Sequence, residues 1–134
     1  MEQDIAARVT AEILTWDGAS QHVHRFGGVE LRLGDRELGH LHTATANDAA
    51  WADFPFTARI REMLIETGRV TPHRFGVTGW VSRDLDDPAE VVELFRLSYE
   101  RARVAQAVRA SREQLGESFG ADIPAGDHDP DARS

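Results

Sequence analysis

The sequence predicts an α+β fold in which helices pack on one face of an antiparallel sheet. Two observations support this class. Apolar residues recur at helical spacing near both ends of the chain, and short strand-like segments separated by glycine-containing turns lie between them. The predicted order is α-β-β-β-α-β-α, with a long C-terminal helix. Residues 1–115 are predicted to form a single α+β domain. Residues 116–134 are predicted to form an acidic disordered tail, because glycine, proline and acids occur there without periodicity.

The N-terminal half is predicted to contain one helix and a three-stranded meander. The helix covers residues 3–15, where Ile5, Val9 and Ile13 form one apolar stripe. The strands are SQHVHRF, VELRL and ELGHLH, joined by turns at Gly27-Gly28 and at Asp35-Arg36. The segment TATANDAAWADFPF that follows is predicted to be an ordered loop.

The C-terminal half is predicted to contain a helix, a strand and a longer helix. The first helix covers about 57–67, and the strand lies near Trp80 and Val81. The longer helix begins with Asp87 as its N-cap and Pro88 at its first position, and it continues toward Leu115.

Composition and charge exclude several classes of protein. The chain has no cysteine, so it can form neither a disulfide nor a thiolate zinc site. Its net charge is −8 and it has no lysine, which argues against nucleic acid and anionic membrane surfaces as partners. We expect a cytoplasmic protein, because the N-terminus lacks the pattern of a signal peptide and no apolar run could span a membrane. The expected partner is a small molecule or another protein, and the oligomeric state stays open.

Histidine is concentrated in one segment, HVHRFGGVELRLGDRELGHLH, which covers residues 22–42. With the turns assigned above, Leu31 lies opposite His40 and Val29 lies opposite His42. Because opposed residues share a face, the histidines are predicted on the apolar inner face, with a pocket between sheet and helices.

Three interpretations of these histidines stay open. A His-x-His pair on a strand can present two imidazoles to one metal, which makes His22, His24, His40 and His42 alternative metal ligands. A partly buried imidazole can also act as a general acid or base, and the catalytic candidates are His40, His42 and His73. In the third interpretation the histidines are structural and only form hydrogen bonds at the edge of the sheet. We predict no metal and no organic cofactor.

Aromatic residues supply candidate ligand-binding groups. Trp51, Phe54, Phe56 and Trp80 could line an apolar ligand site, and packing in the core is the alternative.

Several motifs resemble those of a known family. RFGGVELRLGDRELGHLH, DFPF, PHRFGVTGWVSRDL and ELFRLSYERA resemble small actinobacterial proteins labelled luciferase family or luciferase domain-containing, a domain of unknown function. The resemblance covers about residues 5–107 and implies an α+β fold. The residues that lie at motif positions of this family are Gly39, His40, His42, His73, Gly79 and Trp80. More distantly, the sequence is similar to the MmcQ/YjbR group, whose fold has been compared with a double-wing DNA-binding architecture.

These observations give three hypotheses for function. The first is a small binding module for a ligand or a protein, with a histidine-lined pocket. The second is a compact cofactor-independent enzyme that uses His40, His42 or His73 as general acid or base on a pathway metabolite. The third, by analogy of fold, is a DNA-associated regulator.

Overall fold

Three helices and six strands make up the part of the chain that the computed structural model describes, which is residues 5–24, 27–45 and 49–119. The helices are α1 (Ile5–Ile13), α2 (Ala58–Glu66) and α3 (Pro88–Phe119). The strands are β1 (Ala19–Val23), β2 (Val29–Leu33), β3 (Arg36–His42), β4 (Trp51–Pro55), β5 (Thr71–Pro72) and β6 (Trp80–Asp84). All six form one antiparallel sheet in the order β1-β2-β3-β4-β6-β5. The predicted α+β class, antiparallel sheet and long C-terminal helix are confirmed, and the sheet has two more strands than predicted.

The chain divides into two compact units, Met1–Ala102 and Arg103–Ser134. Helix α3 extends to Phe119, further than the predicted end near Leu115, and residues 120–134 of the predicted tail lie outside the described residues. None of the described helices is both long enough and apolar enough to cross a bilayer.

In the first unit, apolar side chains of the strands form the core together with those of the helices. The strand residues include Leu31, Leu41 and Phe54, all fully buried. The helix residues of this core include Ile13, Leu64, Leu94, Phe95 and Tyr99. Long-range hydrogen bonds tie α3 to the rest of the unit. The Tyr99 hydroxyl donates to the Asp17 carbonyl at 2.6 Å, and the Ser98 hydroxyl donates to the Leu38 carbonyl at 2.8 Å.

The predicted loop over TATANDAAWADFPF is wrong for residues 51–55, which form the central strand β4. This strand pairs with β3 on one side and with β6 on the other. An acidic residue in the middle, Asp53, and Pro55 at the end are unusual for a central strand. Pro55 is the last residue of β4 and lies beyond the pairing with β3, which ends at Asp53, so its missing N–H interrupts no hydrogen bond between these two strands.

Both predicted strand registers are wrong, because neither turn is the one assigned from sequence. Strands β1 and β2 pair Val23 with Val29, so the connection is five residues long rather than two. The next turn is Gly34-Asp35, one residue earlier than predicted, and Gly34 has a φ of 63° there. The register then shifts between Leu31 and Arg32, which is a β-bulge.

The new register moves the histidines of β3 to the other face of the sheet. His40 pairs with Glu30, and Leu41 pairs with Val29. Side chains alternate along a strand, so His40 and His42 share the face of Glu30 and not, as predicted, the face of Leu31. A one-residue error in pairing has this effect on every side chain of the strand.

Gly39 permits close packing beside the bulge. Its φ is 153°, and a Cβ there would lie 2.7 Å from the Asp53 carbonyl oxygen and 2.9 Å from the Phe95 ring. Only glycine fits this position without displacing backbone, so this residue of the GHLH motif has a structural role.

Candidate functional site

Neighbouring strands β3 and β4 bring two histidines and one carboxylate together. His40 lies directly opposite Asp53, and His42 lies opposite Trp51. Opposed residues share a face, so the side chains of His40, His42 and Asp53 lie on the same side of the sheet. Leu41, between the two histidines, and Phe54, which follows Asp53, point into the core on the other side.

The Asp53 carboxylate is the centre of this group. Its side chain is 1% exposed, and Oδ2 lies 3.1 Å from Nε2 of His40 and 3.1 Å from Nε2 of His42. A third imidazole, that of His73, places its Nε2 3.5 Å from the same oxygen. Three of the predicted histidines therefore converge on one oxygen atom.

Two further side chains hold the Asp53 carboxylate in place. The Ser82 hydroxyl on β6 donates to Oδ1 at 2.5 Å, and the Trp51 indole N–H donates to Oδ2 at 3.3 Å. Burial alone would raise the pKa of the Asp53 carboxyl, but the hydrogen bonds from His40, His42 and Ser82 hold that pKa well below its usual range. Asp53 is therefore a buried anion near neutral pH.

His40 bridges two carboxylates. Its Nε2 faces Asp53, and its Nδ1 donates to Oε2 of Glu37 at 2.7 Å. Burial lowers the pKa of His40, but the hydrogen bonds to Asp53 and Glu37 outweigh burial and raise it from 6.5 to about 9. At neutral pH His40 is an imidazolium that compensates the buried charge of Asp53.

His24 lies against His40 with its pKa shifted the other way. The two rings stack with centroids 4.1 Å apart. Burial, followed by the neighbouring charge of His40, lowers the pKa of His24. His22, two residues earlier, is instead exposed and hydrogen-bonded to the Ser20 hydroxyl at 2.9 Å. Of the HVH pair, only His24 joins the histidines around Asp53. Of the HLH pair, both His40 and His42 do.

Hydrogen bonds from the backbone fix the tautomer of His73. Its Nδ1 accepts the backbone N–H groups of Phe75 at 3.1 Å and Val77 at 3.2 Å. A ring nitrogen that accepts has no proton, so in the neutral ring the proton is on Nε2, the atom that faces Asp53. His73 therefore presents an N–H group rather than a lone pair toward Asp53.

The cluster lies in a cavity of about 620 Å³, a volume that suits a small organic molecule. The cavity is lined by Val23, His24, Glu30, Arg32, Glu37, His40, His42, His73, Phe75, Val77 and Trp80. Three apolar residues of this lining are largely exposed: Val23 at 90%, Phe75 at 73% and Val77 at 50%. Glu30 and Arg32 form an ion pair on the wall. The cavity thus combines an apolar rim with a polar interior.

The four aromatic candidates lie in different places. Trp80 lines the cavity, and its ring lies 5.1 Å from that of His40. Trp51 is buried and stacks on the His42 ring at 4.3 Å. Phe54 and Phe56 are buried in the hydrophobic core, with ring centroids 5.8 Å apart.

Sequence reasoning did not single out three residues that organise the cluster, namely Glu37, Asp53 and Ser82. One signal for Asp53 was present: WADFP alternates Trp51, Asp53 and Pro55 with Ala52 and Phe54, which is the period of a strand. An acid inside such a strand needs buried partners, and histidine supplies them. No comparable pattern marks Glu37 or Ser82, whose roles depend on the bulge and on the pairing of β4 with β6.

Among the described residues, two groups bring three metal-binding atoms within 4.8 Å of one another. They are His24, Glu37 and His40, and His40, His42 and Asp53. A carboxylate with several imidazoles can exchange protons with a ligand, and the same atoms can hold a cation.

In the comparisons with known proteins, one family model matches this region. Neither the comparison with curated proteins nor that with solved structures gave a match. The likeness to the MmcQ/YjbR group stays a prediction. Residues 35–98, which include GHLH, DFPF and GWVS and hold Glu37, His40, His42, Asp53, His73 and Ser82, match the family model described as the luciferase domain.

Proposed function

We propose that this protein binds a small organic molecule in the histidine-lined cavity. The observation that carries the proposal is the shape and chemistry of that cavity: about 620 Å³, with an apolar rim and a polar interior. Binding sites for small molecules typically combine apolar walls with a few convergent polar groups. The leading hypothesis from sequence also named a protein partner. A concave cavity of this size can enclose a small ligand, whereas the surface of a protein partner is usually too flat to fill it.

The rim indicates an apolar body for the ligand. Phe75 and Val77 are exposed side chains on the short segment between β5 and β6. Val23 reaches the same cavity from the end of β1. A ligand that covers these side chains removes apolar surface from water, which stabilises the complex by about 25 cal/mol per Å².

The interior indicates a polar end that forms hydrogen bonds rather than a strong anion. His40 is positively charged, but Glu37 and Asp53 already neutralise it. Arg32 is paired with Glu30. These groups are three anions and two cations, so no positive charge is left to bind an anion, and imidazoles such as His24 supply donors and acceptors. The ligand class that fits is an amphipathic small molecule, such as an aromatic alcohol, a phenol or an amide.

A fragment screen by ligand-observed NMR tests this proposal. The panel contains aromatic alcohols, phenols, amides and acids, and the variants are Phe75→Ser/Val77→Ser and, as control, Met63→Ser. Met63 is an exposed apolar side chain of α2 that does not line the cavity. Losing two apolar contacts is expected to weaken binding about tenfold or more, and Met63→Ser is expected to leave it unchanged. Absence of any binding fragment, or an equal loss in both variants, would contradict the proposal.

A compact enzyme is the second candidate, favoured by the pairing of His40 and His42 with one buried carboxylate. A carboxylate that orients an imidazole is the arrangement that supports general acid–base catalysis. The test uses any fragment that binds: its conversion is followed by NMR with wild-type protein and with His42→Gln. An enzyme predicts conversion by the wild type and its loss in the variant while binding persists. Binding without conversion would leave the binding module as the function.

A further inference from the structure

One buried oxygen atom, Oδ2 of Asp53, which contacts histidines of the cavity lining, has more nitrogen neighbours than it has lone pairs. Within 3.5 Å of Oδ2 of Asp53 lie Nε2 of His40, Nε2 of His42, Nε2 of His73 and Nε1 of Trp51. A carboxylate oxygen accepts about two good hydrogen bonds. Such crowding is relieved if some of the imidazoles present lone pairs instead of N–H groups, to a cation shared with the carboxylate.

The spacing of three of these atoms is that of metal ligands. Nε2 of His40 and Nε2 of His42 each lie 3.1 Å from Oδ2 of Asp53, and all three ligand atoms lie within 4.8 Å of one another. Ligands about 2.0–2.2 Å from a tetrahedral ion are about 3.4 Å apart. We propose that His40, His42 and Asp53 form a binding site for one divalent first-row transition metal ion.

Surrounding residues orient these ligands as metal sites require. Glu37 accepts the Nδ1 proton of His40, so Nε2 is the nitrogen available to a metal once its own proton is displaced. Ser82 holds Oδ1 of Asp53, and Trp51 stacks on the His42 ring. The rings of His40 and His42 meet edge to face at 81°, an orientation that lets both lone pairs point at a common position.

His73 and His24 do not belong to this ligand set. The Nδ1 of His73 accepts two backbone N–H groups, so its Nε2 keeps the proton and has no lone pair for a metal. The rings of His24 and His40 are stacked at an interplanar angle of 21°, and nearly parallel rings direct their in-plane lone pairs along similar directions rather than to one point. The alternative group of His24, Glu37 and His40 therefore fits a metal less well.

Two imidazoles and one carboxylate would leave at least one coordination position for a further ligand, and His40 and His42 both line the cavity. An all-nitrogen and oxygen set of this kind suits zinc, iron(II) or other first-row divalent ions, and open positions are typical of catalytic rather than structural sites. The metal site does not depend on the proposed organic ligand, because only protein side chains form it. It can therefore be tested with the metal alone.

Zinc titration of the untagged, EDTA-treated full chain by calorimetry tests the site. Wild type is expected to bind one zinc ion, and His40→Gln or His42→Gln is expected to weaken binding by about a hundredfold or more. Glu37→Gln, which replaces the charged acceptor of His40 Nδ1–H by a neutral amide, is expected to weaken it about tenfold to a hundredfold. His22→Gln is the control and is expected to keep the stoichiometry of one. Circular dichroism of each metal-free variant checks that it is folded.

Three results would overturn the metal site: no binding of zinc by the wild type, an equal loss in His22→Gln and His42→Gln, or no loss in His42→Gln. Should His40→Gln fail to fold, His42→Gln decides, because its side chain is more exposed than that of His40. The fragment screen is read separately. Fragment binding without zinc binding contradicts only the metal site, and zinc binding without fragment binding contradicts only the proposed function.

Discussion

His40 and Asp53 lie directly opposite each other on two central strands, and their side chains meet at 3.1 Å on the face of the sheet away from Leu41 and Phe54. Both side chains are buried, and each depends on the other for its charge. This pair links the fold to the candidate site, because the same β3–β4 register that buries the core also builds the cluster.

Replacement of Asp53 by Asn is expected to destabilise the metal-free protein strongly. The change leaves a buried imidazolium with Glu37 as its remaining carboxylate partner, and breaking a buried ion pair costs about 3–5 kcal/mol. Asp84→Asn is the matched control. Asp84 lies on β6 of the same sheet and forms an ion pair with Arg74, but its side chain is largely exposed. That change is expected to cost less than about 1 kcal/mol. Urea denaturation measures both, and similar losses would show that the Asp53 network contributes little.

The two shifted pKa values predict a pH window of maximum stability for the metal-free protein. The pKa of Asp53 is lower in the folded state, so its contribution is present above about pH 4 and is lost as the pH falls. The pKa of His40 is raised from 6.5 to about 9, so its contribution is fully present below pH 6.5 and is lost as the pH rises through 9. Stability should be highest between about pH 4 and 6.5.

Denaturation in EDTA from pH 4 to 10 measures this window. The loss between pH 6.5 and 9 is expected to be on the order of 3 kcal/mol, and His40→Gln should remove most of that slope. A slope that is identical in wild type and variant would mean that other groups cause it.

Gly39→Ala is expected to destabilise the protein more than Gly68→Ala, although both glycines have a positive φ. A Cβ at Gly39 would lie 2.7 Å from backbone, whereas no described atom lies within 4 Å of a Cβ at Gly68. The expected cost is about 3 kcal/mol for Gly39→Ala and about 1 kcal/mol for Gly68→Ala, where only backbone strain acts. Equal losses of unfolding free energy would show that the packing beside the bulge is not tight.

The sequence allowed most helices and strands to be predicted, because periodicity and capping are local signals. Ile5, Val9 and Ile13 mark α1, and Asp87 with Pro88 marks the start of α3. The strand β4 was missed because Asp53 and Pro55 are residues that sheets usually avoid.

The candidate site was predicted in part. The sequence drew attention to His40, His42 and His73, and the structure brings all three to Asp53. The face on which His40 and His42 lie could not be predicted, since it depends on the bulge between Leu31 and Arg32. Asp53 could not be placed either, because its pairing with His40 is a tertiary contact between strands.

One measurement tests most directly whether the histidines form a single site around Asp53. Long-range ¹H–¹⁵N correlation spectra of the imidazoles, recorded near pH 7 without and with one equivalent of zinc, report the protonation and metal binding of each ring. Without zinc, His40 should appear as an imidazolium and His73 as the neutral ring with its proton on Nε2. With zinc, the Nε2 signals of His40 and His42 should move to metal-bound positions while those of His22 and His73 stay. Unchanged spectra, or shifts shared equally by His22, would contradict the account.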